Sequence, residues 1–289
     1  MLFFRLLFLG PLNPKRHLTN KVIGICLVII LTAITQVGGI AVWLGYGAGN
    51  IVRKHRLPIF RLTGFSTFVI VYGMLSFIIL PQIAPTFGTV ALNCFSQPNS
   101  AYKSNSTLYC ALNRHYVTPK VEATVEDLAQ HMSQAYPGSV VTYLDAGFPF
   151  TGFPLLPHLS HNDGKKLDLA LFYKDRGTGR KIPDAGSWTI GYWSFAPSYL
   201  LQYQPTCKQD GTWRWNADVI QFLFADLIID QERTKEMAAF LSRPGEENPV
   251  KKLFLEPHLK HSLGLKSDKI RFAGCSAARH DDHVHIEVR

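Results

Sequence analysis

Two long apolar runs without a single charge constrain this chain more than any other feature. Val22–Tyr46 has 25 residues and Leu62–Pro85 has 24, and neither contains Asp, Glu, Lys or Arg. About 20 apolar residues in a helix cross the hydrocarbon of a bilayer, so both runs read as transmembrane helices. Buried helices of a soluble core are the alternative, but two such runs on either side of a basic loop favour the bilayer. A cleaved signal peptide fits worse, since its apolar core covers only about 7–15 residues. With no charged residue inside the spans to suggest transport, residues 1–86 read as a membrane anchor. A partner-binding role for the same segment is the other reading.

The formal net charge of +9 belongs to this first third. Arg5, Lys15, Arg16, Lys21, Arg53, Lys54, Arg56 and Arg61 lie in it, with no acidic residue to offset them. Residues 87–289 keep 22 of the 30 basic residues against all 21 acidic ones, so they are almost neutral. A cationic face for a phosphate backbone is therefore absent, and nucleic acid is excluded as a partner. The loop "NIVRKHRLPIFR" belongs in the cytoplasm by the positive-inside rule. The flank Gln82–Tyr102 has no Lys or Arg, as an exported segment should. The C-terminal domain is thus expected outside the membrane, while Arg5, Lys15, Arg16 and Lys21 leave the side of the N-terminus open.

Cysteine usage agrees with export. Cys94, Cys110, Cys207 and Cys275 follow the spans, an even number, and Cys26 lies within the first. Proximity favours Cys94–Cys110 and leaves Cys207 with Cys275, although four cysteines allow three pairings. Such bridges persist in an oxidising compartment; four buried thiols are the alternative. The sequon Asn105–Thr107 is too short a pattern to carry weight.

Residues 87–115, with the polar stretch Ser96–Cys110, read as a linker or loop, and residues 116–289 as one mixed α+β domain. Thr124 with Asp127 three residues on reads as a helix N-cap, stopped by Pro137-Gly138. "SVVTYLDAGF", "LDLALFY", "VKKLFLEP", "KIRFAG" and "HVHIEV" read as strands. "KDRGTGRKIPDAGS" is turn material. Asn216 caps one long or two consecutive helices reaching Pro244-Gly245. The expected architecture is two N-terminal transmembrane helices, at about 22–46 and 62–85, and a domain with a small antiparallel sheet and flanking helices.

Two stretches carry the chemistry: His-x2-His-x6-Asp at His158, His161 and Asp168, and His-x2-His-x-His at His280, His283 and His285. In a strand, residues two apart share a face. "HVHIEV" therefore presents His283, His285 and Glu287 together, above Val284, Ile286 and Val288. Gly164 lets the chain turn between His161 and Asp168. A catalytic zinc site takes three N, O or S ligands and keeps one position open. His161, Asp168 and one histidine of the pair supply that set, and the other histidine is placed to move a proton. Asp281 and Asp282 read as solvated turn residues, one of which can orient a ligand histidine. His258 and His261 read as surface residues, and His115 and His131 receive no role.

"HLSHNDGKKLDL" together with "RFAGCSAARHDDHVHI" resembles the penicillin-insensitive murein endopeptidases. These are zinc peptidases related to lysostaphin-type enzymes and D-alanyl-D-alanine carboxypeptidases. The likeness is specific, because the carboxypeptidase relatives end in a Glu-x-x-His type of arrangement and the lysostaphin-type relatives have a shorter His-to-Asp spacing. The resemblance implies Zn2+ held by His161, Asp168 and His285, with His283 as general base. It implies that His158 and His280 assist catalysis or hold substrate. It further implies hydrolysis of the D-alanyl–meso-diaminopimelyl cross-link of peptidoglycan by a metal-activated water, which leaves β-lactams no acyl acceptor to trap. The expected protein is then an enzyme of the bacterial inner membrane, anchored in the lipid bilayer through residues 22–85, with its catalytic domain facing the periplasm. A peptidoglycan carboxypeptidase and a non-catalytic, metal-containing wall-binding membrane protein are the alternatives.

Overall fold

The computed structural model describes residues 14–54, 60–95, 101–156, 158–184, 191–192 and 227–289. Asn216 and the start of the helix expected to follow it, Cys207, and residues 55–59 of the basic loop lie outside these residues.

The first apolar run does not form one helix, which corrects the expected span at 22–46. Helix α1 (Pro14–Thr35) ends at Gln36, and α2 (Gly38–Lys54) starts two residues later. Gln36 has a left-handed backbone, φ 64°, which an α-helix cannot contain. Its side chain explains the break, since it bonds to the backbone of Phe150 far along the chain. The second run is continuous. Helix α3 (Phe60–Met74) passes through a π-helical turn, Leu75–Ile79, and ends in short turns up to Phe87. Leu62–Phe87, 26 residues, is the one helical stretch among the described residues long and apolar enough to cross a membrane.

After this helix the chain builds an α+β unit around a six-stranded sheet. Its strands are β2 (Tyr102–Ser104), β4 (Val141–Tyr143), β5 (Lys166–Ala170), β8 (Val250–Phe254), β9 (Ile270–Arg271) and β10 (His283–Val288). Their order is β2-β4-β5-β10-β8-β9. The sheet is mixed and not purely antiparallel as expected: β2–β4 and β8–β9 run parallel, the other neighbours antiparallel. Parallel neighbours require a crossover. One crossover carries α4 (Thr107–Ala111), β3 (Tyr116–Val117) and α5 (Pro119–Ala135), and α7 (Pro257–Ser262) provides the other. Two small sheets pair β1 (Val90–Ala91) with β3, and β6 (Tyr173–Asp175) with β7 (Leu227–Ile229). Part of the segment 87–115, expected as linker or loop, is thus a strand of the main sheet.

Helix α5 buries Val121, Val125, Leu128 and Met132 at a helical spacing. They enter one core with Val141, Leu167, Leu169, Val284 and Ile286 from the central strands. Burying a side chain of this size contributes about 1.5–3 kcal/mol, so this face fixes the register of β5 and β10. The helix begins earlier than Thr124, because Pro119 presets the first helical turn after an extended Thr118. Thr124 lies inside the helix, and its hydroxyl donates to the carbonyl of Lys120 at 2.7 Å. The helical stretch expected up to Pro244-Gly245 is interrupted in its described part. Leu227–Ile229 pairs as a strand with β6, and Asp230 then caps α6 (Gln231–Leu241) by accepting from the Arg233 amide.

Cys94 and Cys110 form a disulfide with Cα atoms 6.0 Å apart. Cys275 is disulfide-bonded as well, and Cys26 is free.

Candidate metal centre

The central strands carry the site. Val284, Ile286 and Val288 are buried in the core, so alternation turns His283, His285 and Glu287 to the opposite face. The register sets His285 directly across from Asp168. Leu167 and Leu169 pin Asp168 in the same way, since both are buried on the core side. The third donor arrives on the 3-10 turn Leu159–His161. Gly164 then takes φ 67° and leads the chain into β5, the turn that its glycine suggested.

Three donor atoms converge. His285 Nδ1 is 2.8 Å from Asp168 Oδ1, His161 Nε2 is 3.1 Å from His285 Nδ1, and His161 Nε2 is 3.4 Å from Asp168 Oδ1. Bonds of about 2.0–2.1 Å to a tetrahedral ion put ligand atoms roughly 3.3–3.4 Å apart, so the triangle is close to the size a metal needs. The tautomer of His161 follows from its other nitrogen, which lies 2.8 Å from the carbonyl oxygen of Ala146. A carbonyl only accepts, so Nδ1 carries the proton and Nε2 offers a lone pair. The cluster has the donor set to hold a metal ion. His158 also brings a donor atom within 4.8 Å of those of His161 and Asp168. Its Nδ1 faces Asp145 Oδ2 at 3.0 Å and the far oxygen of Asp168 at 3.5 Å.

The remaining histidines surround this triangle. His283 donates from Nδ1 to Asp282, which turns Nε2 toward Asp168 Oδ1 at 3.8 Å. Burial lowers its pKa, but the carboxylates of Asp168 and Asp282 outweigh burial and raise it to about 9. The His280 ring lies tilted against that of His283, centroids 4.8 Å apart, and burial with the neighbouring imidazoles holds its pKa well below the ordinary value. Asp168 ionises far below the usual range, because His161 and His283 outweigh the burial that opposes it. Asp145 is similarly depressed: its His158 and Arg114 partners outweigh burial, and the Arg114 guanidinium grips both of its oxygens.

A cleft of about 470 Å³ opens over the cluster. His158, His161, Asp168, His280, His283 and His285 all line it, so the structure brings the six expected site residues together. Asp281 and Asp282, expected to be solvated, are fully buried. Asp281 is held by Arg279 and Asp282 by His283. His258, expected at the surface, is buried too, and burial lowers its pKa to about 4.

Sequence reasoning missed three supporting groups. Tyr192 donates its hydroxyl to Asp168 Oδ2 at 2.5 Å and accepts from the Asp145 amide at 3.2 Å. The glycine before it was the available signal: Gly191 has φ 77°, and a Cβ there would meet Leu144 at 2.4 Å. Asp145 positions His158, and no spacing marked it. Glu256 is buried with Oε1 accepting from the His280 amide at 3.1 Å. A second group, Cys94, Cys110 and His115, also lies close together. Its sulfurs are joined in a disulfide, so it offers no thiolate to a metal.

No protein-family model matches this chain, and no curated protein is similar to it at a significant level.

Proposed function

We propose that the protein is a membrane-anchored zinc endopeptidase that hydrolyses D-alanyl–meso-diaminopimelyl cross-links of peptidoglycan, with its catalytic domain in the periplasm of a bacterial cell. The observation that carries this reading is the triangle of His161 Nε2, Asp168 Oδ1 and His285 Nδ1, with His283 beside it and outside it. Two imidazoles and one carboxylate are a catalytic zinc set, in which a fourth position stays available to water or substrate. The likeness of both motifs to those of murein endopeptidases supports the bond choice. The disulfide agrees with an oxidising compartment, and Leu62–Phe87 supports an anchor.

When bound, zinc lowers the pKa of a water toward about 7 and polarises the scissile carbonyl. The protein supplies the rest. His283, oriented by Asp282, takes the water's proton at Nε2 and returns it to the leaving amine. Its raised pKa reflects the Asp168 carboxylate, a charge that a bound dication offsets. His280, kept neutral by burial and the neighbouring imidazoles, lines the cleft beside His283. His158, held by Asp145, stands on the opposite side of Asp168.

The test uses the full chain in detergent with dimeric cross-linked muropeptides, a chelator and zinc add-back, and weighs the products by mass spectrometry. Conversion of dimer to monomers, lost with chelator and restored by zinc, is the expected result. An intact dimer beside trimmed pentapeptides would replace this reading with a carboxypeptidase. If zinc-loaded protein left both untouched, the enzyme reading would be overturned in favour of a wall-binding role.

A further inference from the structure

The apolar helices are joined to the site domain by side-chain bonds as well as by the chain itself. Among the described residues only two non-glycines have positive φ, Gln36 at 64° and Asn113 at 57°. Such a conformation opposes folding locally and persists only where surrounding contacts hold it. Both residues sit where helices and domain meet. The Gln36 amide donates to the Phe150 carbonyl at 2.8 Å and accepts from the Phe150 amide at 3.1 Å, so one side chain satisfies both backbone groups of Phe150. Asn113 donates to the carbonyl of Thr35, which the helix break has freed, at 3.0 Å, and reaches Ser76 at 3.2 Å. Between these bonds Val37, Leu80, Ala84 and Tyr116 form a buried apolar plug.

Phe150 belongs to the segment that orients the metal-binding histidine. Four residues before it, the Ala146 carbonyl fixes the His161 ring. At no more than about 3.6 Å per residue, the two lie within roughly 14 Å of each other. The segment between them is held tightly: Gly147 exchanges two backbone bonds with Tyr116, and the Thr89 hydroxyl donates to Pro149 at 2.6 Å. Just beyond Phe150, the Gly152 amide donates to the carbonyl of Asn162, the residue after His161. A flexible tether would need neither the Gln36 nor the Asn113 bonds.

We infer that the helical region is a built part of the site's scaffold: Gln36, through its paired bonds to Phe150, is a positioning residue for the metal ligand His161. The inference rests on the metal reading of the site. It predicts that metal binding depends on a residue in the apolar run, and that a domain cut free after Phe87 holds the ion more weakly than the full chain.

The experiment compares full-length wild type with Gln36→Ala in detergent micelles, measuring zinc affinity by chelator competition and the visible spectrum of the cobalt-loaded site. Loss of an outer partner of a ligand histidine typically weakens metal binding 10–100-fold; a loss of about 10-fold with a shifted cobalt spectrum is expected. Thr86→Ala is the control. Its exposed hydroxyl bonds only within its own helix end, and both readouts should stay at wild type. Unchanged affinity and spectrum in Gln36→Ala would overturn the proposal. Hydrogen exchange on wild type covers the case in which the variant does not fold: a protected Phe150 amide supports the docked arrangement, and a freely exchanging one refutes it. Wild type that takes up no zinc would sink the metal reading alone, because the Phe150 amide still decides the docking.

Discussion

His285 lies directly across the sheet from Asp168, and its Nδ1 stands 2.8 Å from Asp168 Oδ1. Strand pairing alone therefore brings two of the three candidate ligands together, on a face whose opposite side is core. A site built this way exists before any ion arrives, which lowers the cost of binding one.

Replacing Asp168 or His285 by Ala should abolish zinc binding and activity together, as read by metal content after dialysis and by muropeptide turnover. His283→Ala should keep most of its zinc and lose turnover by about 10²–10⁴-fold, the usual share of a general base. Loss of metal from His283→Ala would show that the two histidines have exchanged roles.

Tyr192→Phe removes one hydroxyl and no other atom. Asp168 loses a charge-assisted bond and the Asp145 amide loses its acceptor. Zinc affinity should fall by about 10–100-fold, and stability by roughly 1–3 kcal/mol because a buried amide is left unpaired. Chelator competition and urea unfolding measure the two effects separately.

How much of this could be read from the sequence depended on whether a feature is local. The alternation in "HVHIEV" and the turn at Gly164 are set by neighbours along the chain, so they placed His283, His285 and Asp168 on strands facing one point. The break at Gln36 is imposed by Phe150, 114 positions away, and an uncharged run gives no sign of it. Local hints were Thr35, whose hydroxyl accepts from the Gly38 amide at 2.8 Å, and Gly39, where a Cβ would meet the Thr32 hydroxyl at 2.1 Å. Asp281 and Asp282 read as turn residues because acids are usually solvated. Their burial depends on Arg279 and His283, and a pairing of that kind appears only in three dimensions. Tyr192 and Asp145 are joined to the site by hydrogen bonds across distant segments, which no spacing records.

The Cys94–Cys110 bridge closes a loop with a sequence separation of 16. Chain entropy assigns such a loop about 3 kcal/mol of stability. The double variant Cys94→Ala, Cys110→Ala should therefore unfold at lower urea than wild type under oxidising conditions, by about that amount. An unchanged midpoint would show that the unfolded chain gains little from losing this constraint.

Glu256 gives the stability a pH dependence that can be isolated. Burial, reinforced by Asp281, raises its pKa from 4.5 to about 8, so the folded state favours the protonated acid. Its contribution is fully present below the unfolded pKa of 4.5 and is lost as pH rises through 8. Over that window the metal-free protein should lose a few kcal/mol from this group. Glu256→Gln keeps an oxygen for the His280 amide and cannot ionise. Unfolding in urea with chelator, at pH 5 and at pH 9, should show the variant close to wild type at the lower pH and more stable at the higher. The reverse order would mean that Glu256 is ionised in the folded protein, with its unpartnered Oε2 satisfied by a bound water or cation.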